Sequence, residues 1–256
     1  MKQAIKKVLN KLGVLSLVYR FRENQNKHES KEMIRMRTEF YKEFISENDL
    51  VFDVGANVGN RTNIFIALGA KVIAIEPQES LARYLAKKVK NRAIVLNKGL
   101  GDRIGVEFIY ISNRSTLSSY SKNFIENAQD GRFKDYRWDN KALTQITTLN
   151  SIIAEYGQPK FCKIDVEGFE LAVLSGLDVP IKSLSLEYNV PEFSNNLMDC
   201  ISKLFALSPF YKFNYSIGES CVLVLDKWIP YEEFVKLISS TDFLKSEFGD
   251  IYAKID

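Results

Sequence analysis

From residue 49 onward, short apolar runs alternate with stretches of helical periodicity. Leu50-Val51-Phe52-Asp53-Val54 has the continuous apolar character of a buried parallel strand and ends in a glycine-rich turn. Ile64, Phe65, Ala67 and Leu68 then recur at helical spacing until Gly69. Lys71–Glu76 predicts a second strand, Leu81 to Val89 a helix, and Ala93–Leu96 a third strand. This cadence is the βαβαβ half of a doubly wound sheet. Alternation at Val106, Phe108 and Tyr110 predicts an added strand, after which a polar stretch runs to Thr147. Thr148 is placed to cap a helix that ends before Gly157. Phe161–Asp165 and Ser183–Glu187 predict the fourth and fifth core strands, with helices over 168–176 and around Leu197, Ile201 and Leu204. Strands at 211–217 and 220–225, joined at Gly218-Glu219, predict a closing hairpin with one antiparallel member. Residues 230–256 predict a C-terminal helix with aromatic anchors.

The start of the chain differs. Ile5, Val8, Leu9, Leu12 and Leu15 recur at helical spacing among lysines, and six basic residues precede the first acidic one, Glu23. Residues 1–45 carry a net charge of +6 and the remainder −3. This divides the chain into a basic helical extension, 1–45, and a main domain, 46–256. A helix over residues 1–22 fits a peripheral membrane contact, a homo-oligomer seam or a cover for the core. Residues 23–47 predict a second, mostly solvated helix.

Composition narrows the class. With 46% hydrophobic residues the chain can bury a full core, and no basic stripe in the body suits a nucleic acid. The cysteines Cys162, Cys200 and Cys221 lack CxxC spacing, so neither a zinc site nor a disulfide framework is expected. The apolar run near the start is too short to span a bilayer, and Asn10 and Lys11 interrupt a signal-peptide core; a cytoplasmic protein is expected. His28, the single histidine, precedes the main domain, which excludes histidine-based triads there.

The strongest chemical signal is Asp53-Val54-Gly55-Ala56-Asn57-Val58-Gly59 between a strand and a helix. Gly55 permits a sharp turn, Gly59 a close helix approach, and the helix start offers backbone donors. Glu76, 21 residues after Gly55, ends the next strand, where a carboxylate can accept from ribose hydroxyls. These features predict a nucleoside-containing ligand. A dinucleotide fingerprint wants a middle glycine, but Asn57 stands between Gly55 and Gly59. The Asp53 carboxylate would repel a pyrophosphate and suits a sulfonium cation, which favours S-adenosylmethionine over NAD.

With these residues in view, the chain resembles the FkbM family of class I S-adenosylmethionine-dependent methyltransferases. The matching segments are VFDVGANVGN at 51–60, AIEP at 74–77, GLGD at 99–102, STLS at 115–118, TTLNSII at 147–153 and KIDVEGFE at 163–170. The resemblance implies a Rossmann-like α/β fold: a seven-stranded, mostly parallel sheet with one antiparallel strand and helices on both faces. It implies methyl transfer to an oxygen, often a hydroxyl of a sugar or natural product. It also implies cofactor contacts at Asp53, Gly55, Ala56, Asn57, Gly59 and Glu76, and near Asp102, which could meet the adenine edge.

An alcohol acceptor must lose its proton, and without a histidine Asp165 or Glu167 is the candidate base. Asp165, Glu187 and Asn189 at successive strand ends could alternatively hold Mg²⁺, in a placement similar to catechol-type methyltransferases. Loops over the carboxyl edge choose substrates on such scaffolds. Arg114, Ser115, Thr116, Tyr120, Tyr136, Arg137 and Trp138 in the insert 112–147, with Glu187, are therefore assigned to the acceptor, a nucleotide-linked sugar, surface glycan or related small molecule. Two other classes remain open at this stage: an NAD-dependent oxidoreductase using Glu76, and a non-catalytic membrane-associated scaffold that retains the fold.

Overall fold

The computed structural model describes residues 30–130 and 134–255. The amphipathic segment expected over 1–22 lies outside the described residues. The first described helix, α1 (Lys31–Tyr41), is capped by Ser30, whose side chain accepts from the Met33 amide. Its first two turns are largely exposed, as the charge pattern predicts, but its end is not solvated. Phe40, Tyr41, Phe44 and Ile45 are buried against the sheet. The rings meet Phe65, Phe161 and Tyr252 at centroid distances of 4.9–5.7 Å, mostly edge to face. Buried aromatics carry the largest apolar area per residue, so this end of α1 is part of the core.

The parallel part of the sheet consists of β1 (Leu50–Val54), β2 (Lys71–Ile75), β3 (Ala93–Leu96), β7 (Phe161–Ile164) and β8 (Ser183–Asn189). α2 (Asn60–Ala67) and α3 (Glu79–Val89) link the first three strands. α5 (Leu149–Tyr156) leads into β7, with Thr148 accepting from the Ser151 amide and Gly157 ending the helix at φ 99°, as the capping pattern predicts. α6 (Glu170–Ser175) follows β7, and α7 (Ser194–Leu207) follows β8.

The far edge corrects the expected hairpin. β9 (Lys212–Ile217) forms, but residues 220–225 do not continue the ladder. The Asn214 side chain bonds both backbone groups of Leu225, at 2.8 and 3.0 Å, and replaces the strand pairing there. The antiparallel partner is β11 (Phe248–Lys254), inserted between β8 and β9. Only part of 230–256 is helical, in α8 (Tyr231–Ile238) and the short α9 (Thr241–Leu244). A two-residue strand, β10 (Ile229–Pro230), pairs outside β9, so the sheet has eight strands where seven were expected. Its order is β10-β9-β11-β8-β7-β1-β2-β3.

The insert is likewise more ordered than a loop. β4 (Gly99–Leu100), β5 (Gly105–Ile111) and β6 (Asn140–Thr147) make a separate three-stranded sheet in the order β4-β6-β5. A short 3-10 turn, Ser115–Leu117, and α4 (Lys122–Asp130) connect β5 to β6. The small sheet and these connections stand over the carboxyl ends of β1, β2, β7 and β8.

Candidate active site

The strand order diverges at β1, which pairs with β2 on one side and β7 on the other. Ligands of open α/β sheets bind in the crevice beyond such a switch point. A cavity of about 460 Å³ lies there.

Its first end is built by the turn after β1. Gly55 and Ala56 both donate to the Ile75 carbonyl, at 3.0 Å each, which ties the turn to β2. Gly55 adopts φ 82°, and a Cβ there would lie 1.8 Å from the Asp165 carbonyl oxygen. Gly59, at φ 81°, starts α2, and its Cβ would meet Leu85 at 2.3 Å. A side chain at Gly55 would have to displace the Asp165 backbone, whereas one at Gly59 would have to displace the end of the Leu85 side chain and would be strained by the positive φ. Glu76 is buried and accepts from the amides of Asn57 (2.9 Å) and Gln78 (2.8 Å). Burial pushes its carboxyl up to about 7, although those amides pull the other way. Each carboxylate oxygen has a second lone pair, so acceptor capacity remains for a ligand's hydroxyls.

The other expected cofactor residues fall in different places. Gly55, Asn57 and Glu76 line the cavity. Asp53 and Ala56 are buried and do not line it; Asp53 instead accepts a hydrogen bond from the Thr62 hydroxyl of α2. Asp53 thus supports the turn from below. Gly59 packs on α3. Asp102 is half-exposed at the end of β4, pairs with Arg103 at 3.2 Å and is absent from the cavity wall. β4 places the GLGD segment in the second sheet, where Asp102 is not part of the cavity wall.

The opposite end is acidic. Oxygens of Asp165, Glu167 and Glu187 all lie within 4.8 Å of one another. Lys163, a buried lysine on β7, donates to Asp165 at 2.7 Å and stands 3.8 Å from Asp250. Burial alone would push the Lys163 ammonium down, but the Asp165 and Asp250 charges outweigh it and raise its pKa. Burial, followed by the Asp165 charge, raises the carboxyls of Glu167 and Glu187 well above the usual range. Glu167 holds a left-handed backbone, φ 53°, which costs a non-glycine residue roughly 1 kcal/mol or more. Three bonds pin it. The Ser119 hydroxyl donates to its carbonyl at 2.6 Å, and Glu170 accepts from the amides of Val166 (3.1 Å) and Gly168 (3.2 Å). Glu170, which helix-dipole stabilisation alone would explain, is therefore a buried staple for this loop.

Of the acceptor residues expected in the insert, Arg114, Ser115, Thr116 and Tyr120 line the cavity. Gln78 ties their turn to β2 through the Ser115 carbonyl at 3.2 Å. Tyr136, Arg137 and Trp138 do not line it. Tyr136 accepts from Arg114 at 3.0 Å, Trp138 donates to the Leu117 carbonyl at 2.6 Å, and the Arg137 side chain is exposed. Two of the three thus stand behind the recognition turn as supports. Glu187 and Asn189 line the cavity as expected, joined by Glu219, Glu247 and Phe248, which sequence reasoning missed. Glu219 was read only as a turn residue. Arg37 of α1 and Arg61 of α2 both donate to it and hold it at the cavity.

The methyltransferase FkbM domain matches residues 53–207, more than half of the chain. The chain belongs to the FkbM methyltransferase family. This FkbM protein is an S-adenosylmethionine-dependent methyltransferase. Among solved structures its fold is similar to a TehB-like SAM-dependent methyltransferase from Corynebacterium glutamicum, with TM-score 0.50, 8% identity, and 94% of this chain and 97% of that one covered. An O-methyltransferase from Bacillus cereus in complex with SAH aligns over 99% of this chain and 97% of its own, with TM-score 0.46 and 10% identity. Identities this low speak to the fold alone. No curated protein matches the sequence. No helix among the described residues is long and apolar enough to cross a membrane.

The first end of the FkbM cavity fits S-adenosylmethionine. Gly55 brings bare backbone to the cavity wall, and Glu76 retains acceptor capacity for ribose hydroxyls. Asn57 Oδ1 is buried without a hydrogen-bond partner, an acceptor awaiting a donor. Gly55, Asn57, Glu76 and Gln78 are the residues that would hold it.

Proposed function

We propose that the enzyme methylates a hydroxyl of a carbohydrate or similar polyhydroxylated small molecule, with Glu167 as the base. The observation carrying this reading is the set of carboxylates at the end of the cavity opposite Glu76, on a loop whose geometry is over-determined. Bound S-adenosylmethionine supplies an electrophilic methyl group and loses its positive charge in the reaction. Glu167 and Asp165 were equal candidates for the base. The Lys163 contact at 2.7 Å favours Glu167, because it ties up the Asp165 carboxylate in an ion pair. Glu167 forms no salt bridge among the described residues, and its raised proton affinity suits it to take a hydroxyl proton and release it to solvent. Positioning supplies much of the remaining acceleration. Ser115, Thr116 and Asn189 offer hydrogen bonds to further hydroxyls.

Between a nucleotide-linked sugar and a glycan, the lining charge favours the glycan. Arg114 is the one cation on the described wall against several carboxylates, a poor setting for a diphosphate. A divalent ion at Asp165, Glu187 and Asn189 is the second reading; of these Asp165 and Glu187 converge, together with Glu167 rather than Asn189. Lys163 already compensates Asp165, so activity that survives a chelator is expected.

The test uses labelled S-adenosylmethionine with a panel of glycans and polyols. The reading predicts a methyl ether, stable to mild alkali, and a loss of roughly 10²–10⁴-fold in kcat for Glu167→Gln. An alkali-labile ester, an N-methyl product or an unimpaired variant would contradict it.

A further inference from the structure

We infer that the acceptor is a vicinal amino alcohol, such as an amino sugar with a free amine, whose ammonium sits against Glu187 while the neighbouring hydroxyl faces Glu167. This rests on the methyl-transfer reading above and names the acceptor class for the same site.

The argument is one of charge balance around the cavity. Glu76 is satisfied by two backbone amides. Asp165 is paired with Lys163, whose charge is shared with Asp250. Glu219 is held by Arg37 and Arg61. Glu247 is exposed to solvent and has an interaction of its own. Arg114 is directed to Tyr136, donating to its hydroxyl and lying 5.7 Å from its ring centre. Glu167 and Glu187 are left, and neither forms a salt bridge among the described residues.

Glu187 provides the second, independent sign of a ligand. Its Oε2 exposes less than 1 Å² and has no hydrogen-bond partner among the described residues. A buried carboxylate oxygen of this kind is costly unless a donor meets it. An ionised carboxylate only accepts, whereas an ammonium offers three donors and a compensating charge. A neutral hydroxyl would supply the donor but no countercharge, whereas an ammonium stabilises the ionised carboxylate that burial disfavours. Oxygens of the two residues lie within 4.8 Å of each other, close enough for groups on adjacent carbons to meet one each. An ammonium on the adjacent carbon also makes the hydroxyl more acidic, which eases proton transfer to Glu167.

The test uses the full chain and analogues of S-adenosylhomocysteine in which nitrogen replaces sulfur and bears a short alkyl arm. The arm ends in an ammonium, an acetamide, a hydroxyl or a carboxylate, and affinities are read by calorimetry. The ammonium arm is expected to bind about tenfold tighter than the hydroxyl or acetamide arms, a difference of one decade in Kd. The carboxylate arm is expected to bind weakest. In Glu187→Gln the ratio of ammonium to hydroxyl affinities should collapse toward unity, and the ratio cancels any change in the shared nucleoside part. The acetamide comparison needs no variant and stands even if the substitution unfolds the chain. Equal affinities for the ammonium and hydroxyl arms, or a preference that survives Glu187→Gln, overturn the inference. So does Mg²⁺ binding that abolishes the preference, which would assign the carboxylates to a metal. Parent S-adenosylhomocysteine binding normally in such a result leaves methyl transfer intact, whereas the product assay above fails independently if the hydroxyl reading is wrong.

Discussion

The two ends of the cavity are built on different principles. The cofactor end is a backbone construction: two left-handed glycines, a turn tied to Ile75, and a glutamate gripped by the amides of Asn57 and Gln78. The acceptor end is a side-chain construction, contributed by the loops after β5, β7 and β9, by the end of β8 and by the start of β11. A backbone site compresses into a short motif with fixed spacing. A side-chain site disperses over the whole chain and is defined by charge balance, which no local pattern records.

The most severe way to break the first end is Gly55→Ala. A methyl group 1.8 Å from the Asp165 carbonyl forces β1 and β7 apart, and the positive φ adds strain. A loss of more than about 4 kcal/mol in stability, or abolished S-adenosylhomocysteine binding, is expected from denaturant titration and calorimetry. Wild-type behaviour would mean that the turn is looser than described.

A smaller effect separates the ends by pH. Glu76 and Glu170 are both buried, and burial raises each from 4.5 to about 7. The folded chain therefore keeps protons that the unfolded chain gives up above 4.5. Their contribution to stability is full below that value and is lost as pH rises through about 7, at roughly 3 kcal/mol per group. The ligand-free protein should melt at a higher temperature at pH 5.5 than at pH 8, with a smaller gap when S-adenosylhomocysteine is bound, because hydroxyl donors favour ionised Glu76. A gap unaffected by the ligand would detach Glu76 from the cofactor.

The smallest effect sharpens the boundary of the first end. Asp102→Asn removes only an exposed pairing with Arg103, so stability and S-adenosylhomocysteine affinity should change by less than about 0.5 kcal/mol. A tenfold loss of affinity would restore the adenine contact that its place in the GLGD segment suggests.

The same contrast governs what could be read from the sequence. The strands β1, β2, β7 and β8 announce themselves as apolar runs because both of their faces are covered, β3 reads the same way although it is an edge strand with Ile94 exposed, and Thr148 and Gly157 mark their helix by local chemistry. β6 did not, since Asn140, Lys141, Ala142 and Leu143 are exposed and the strand reads as polar loop. β11 escaped because its pairing with β9 spans the intervening α8 and α9, while the adjacent 220–225 offered a more local partner. Asn214 decides against that partner with two side-chain bonds that no periodicity reveals. α1 was misjudged by its charged first turns, although Phe40, Tyr41 and Phe44 at its end belong to the core. At the site, Gly55, Asn57 and Glu76 were legible through spacing, and Asp165 and Glu167 through their strand-end position. Glu219 was not, because its role comes from Arg37 and Arg61, both more than a hundred residues away in sequence.

The central claim is that the glycine turn and Glu76 form one cofactor site. Calorimetric titration of the wild-type chain and Glu76→Ala with S-adenosylhomocysteine, and with NAD as a comparison, tests it most directly. The account predicts binding of S-adenosylhomocysteine that NAD does not share, and a loss of roughly 2–3 kcal/mol, about 30- to 150-fold in Kd, in the variant. Equal affinity for both ligands, or a folded variant that binds as tightly as the wild type, would contradict it.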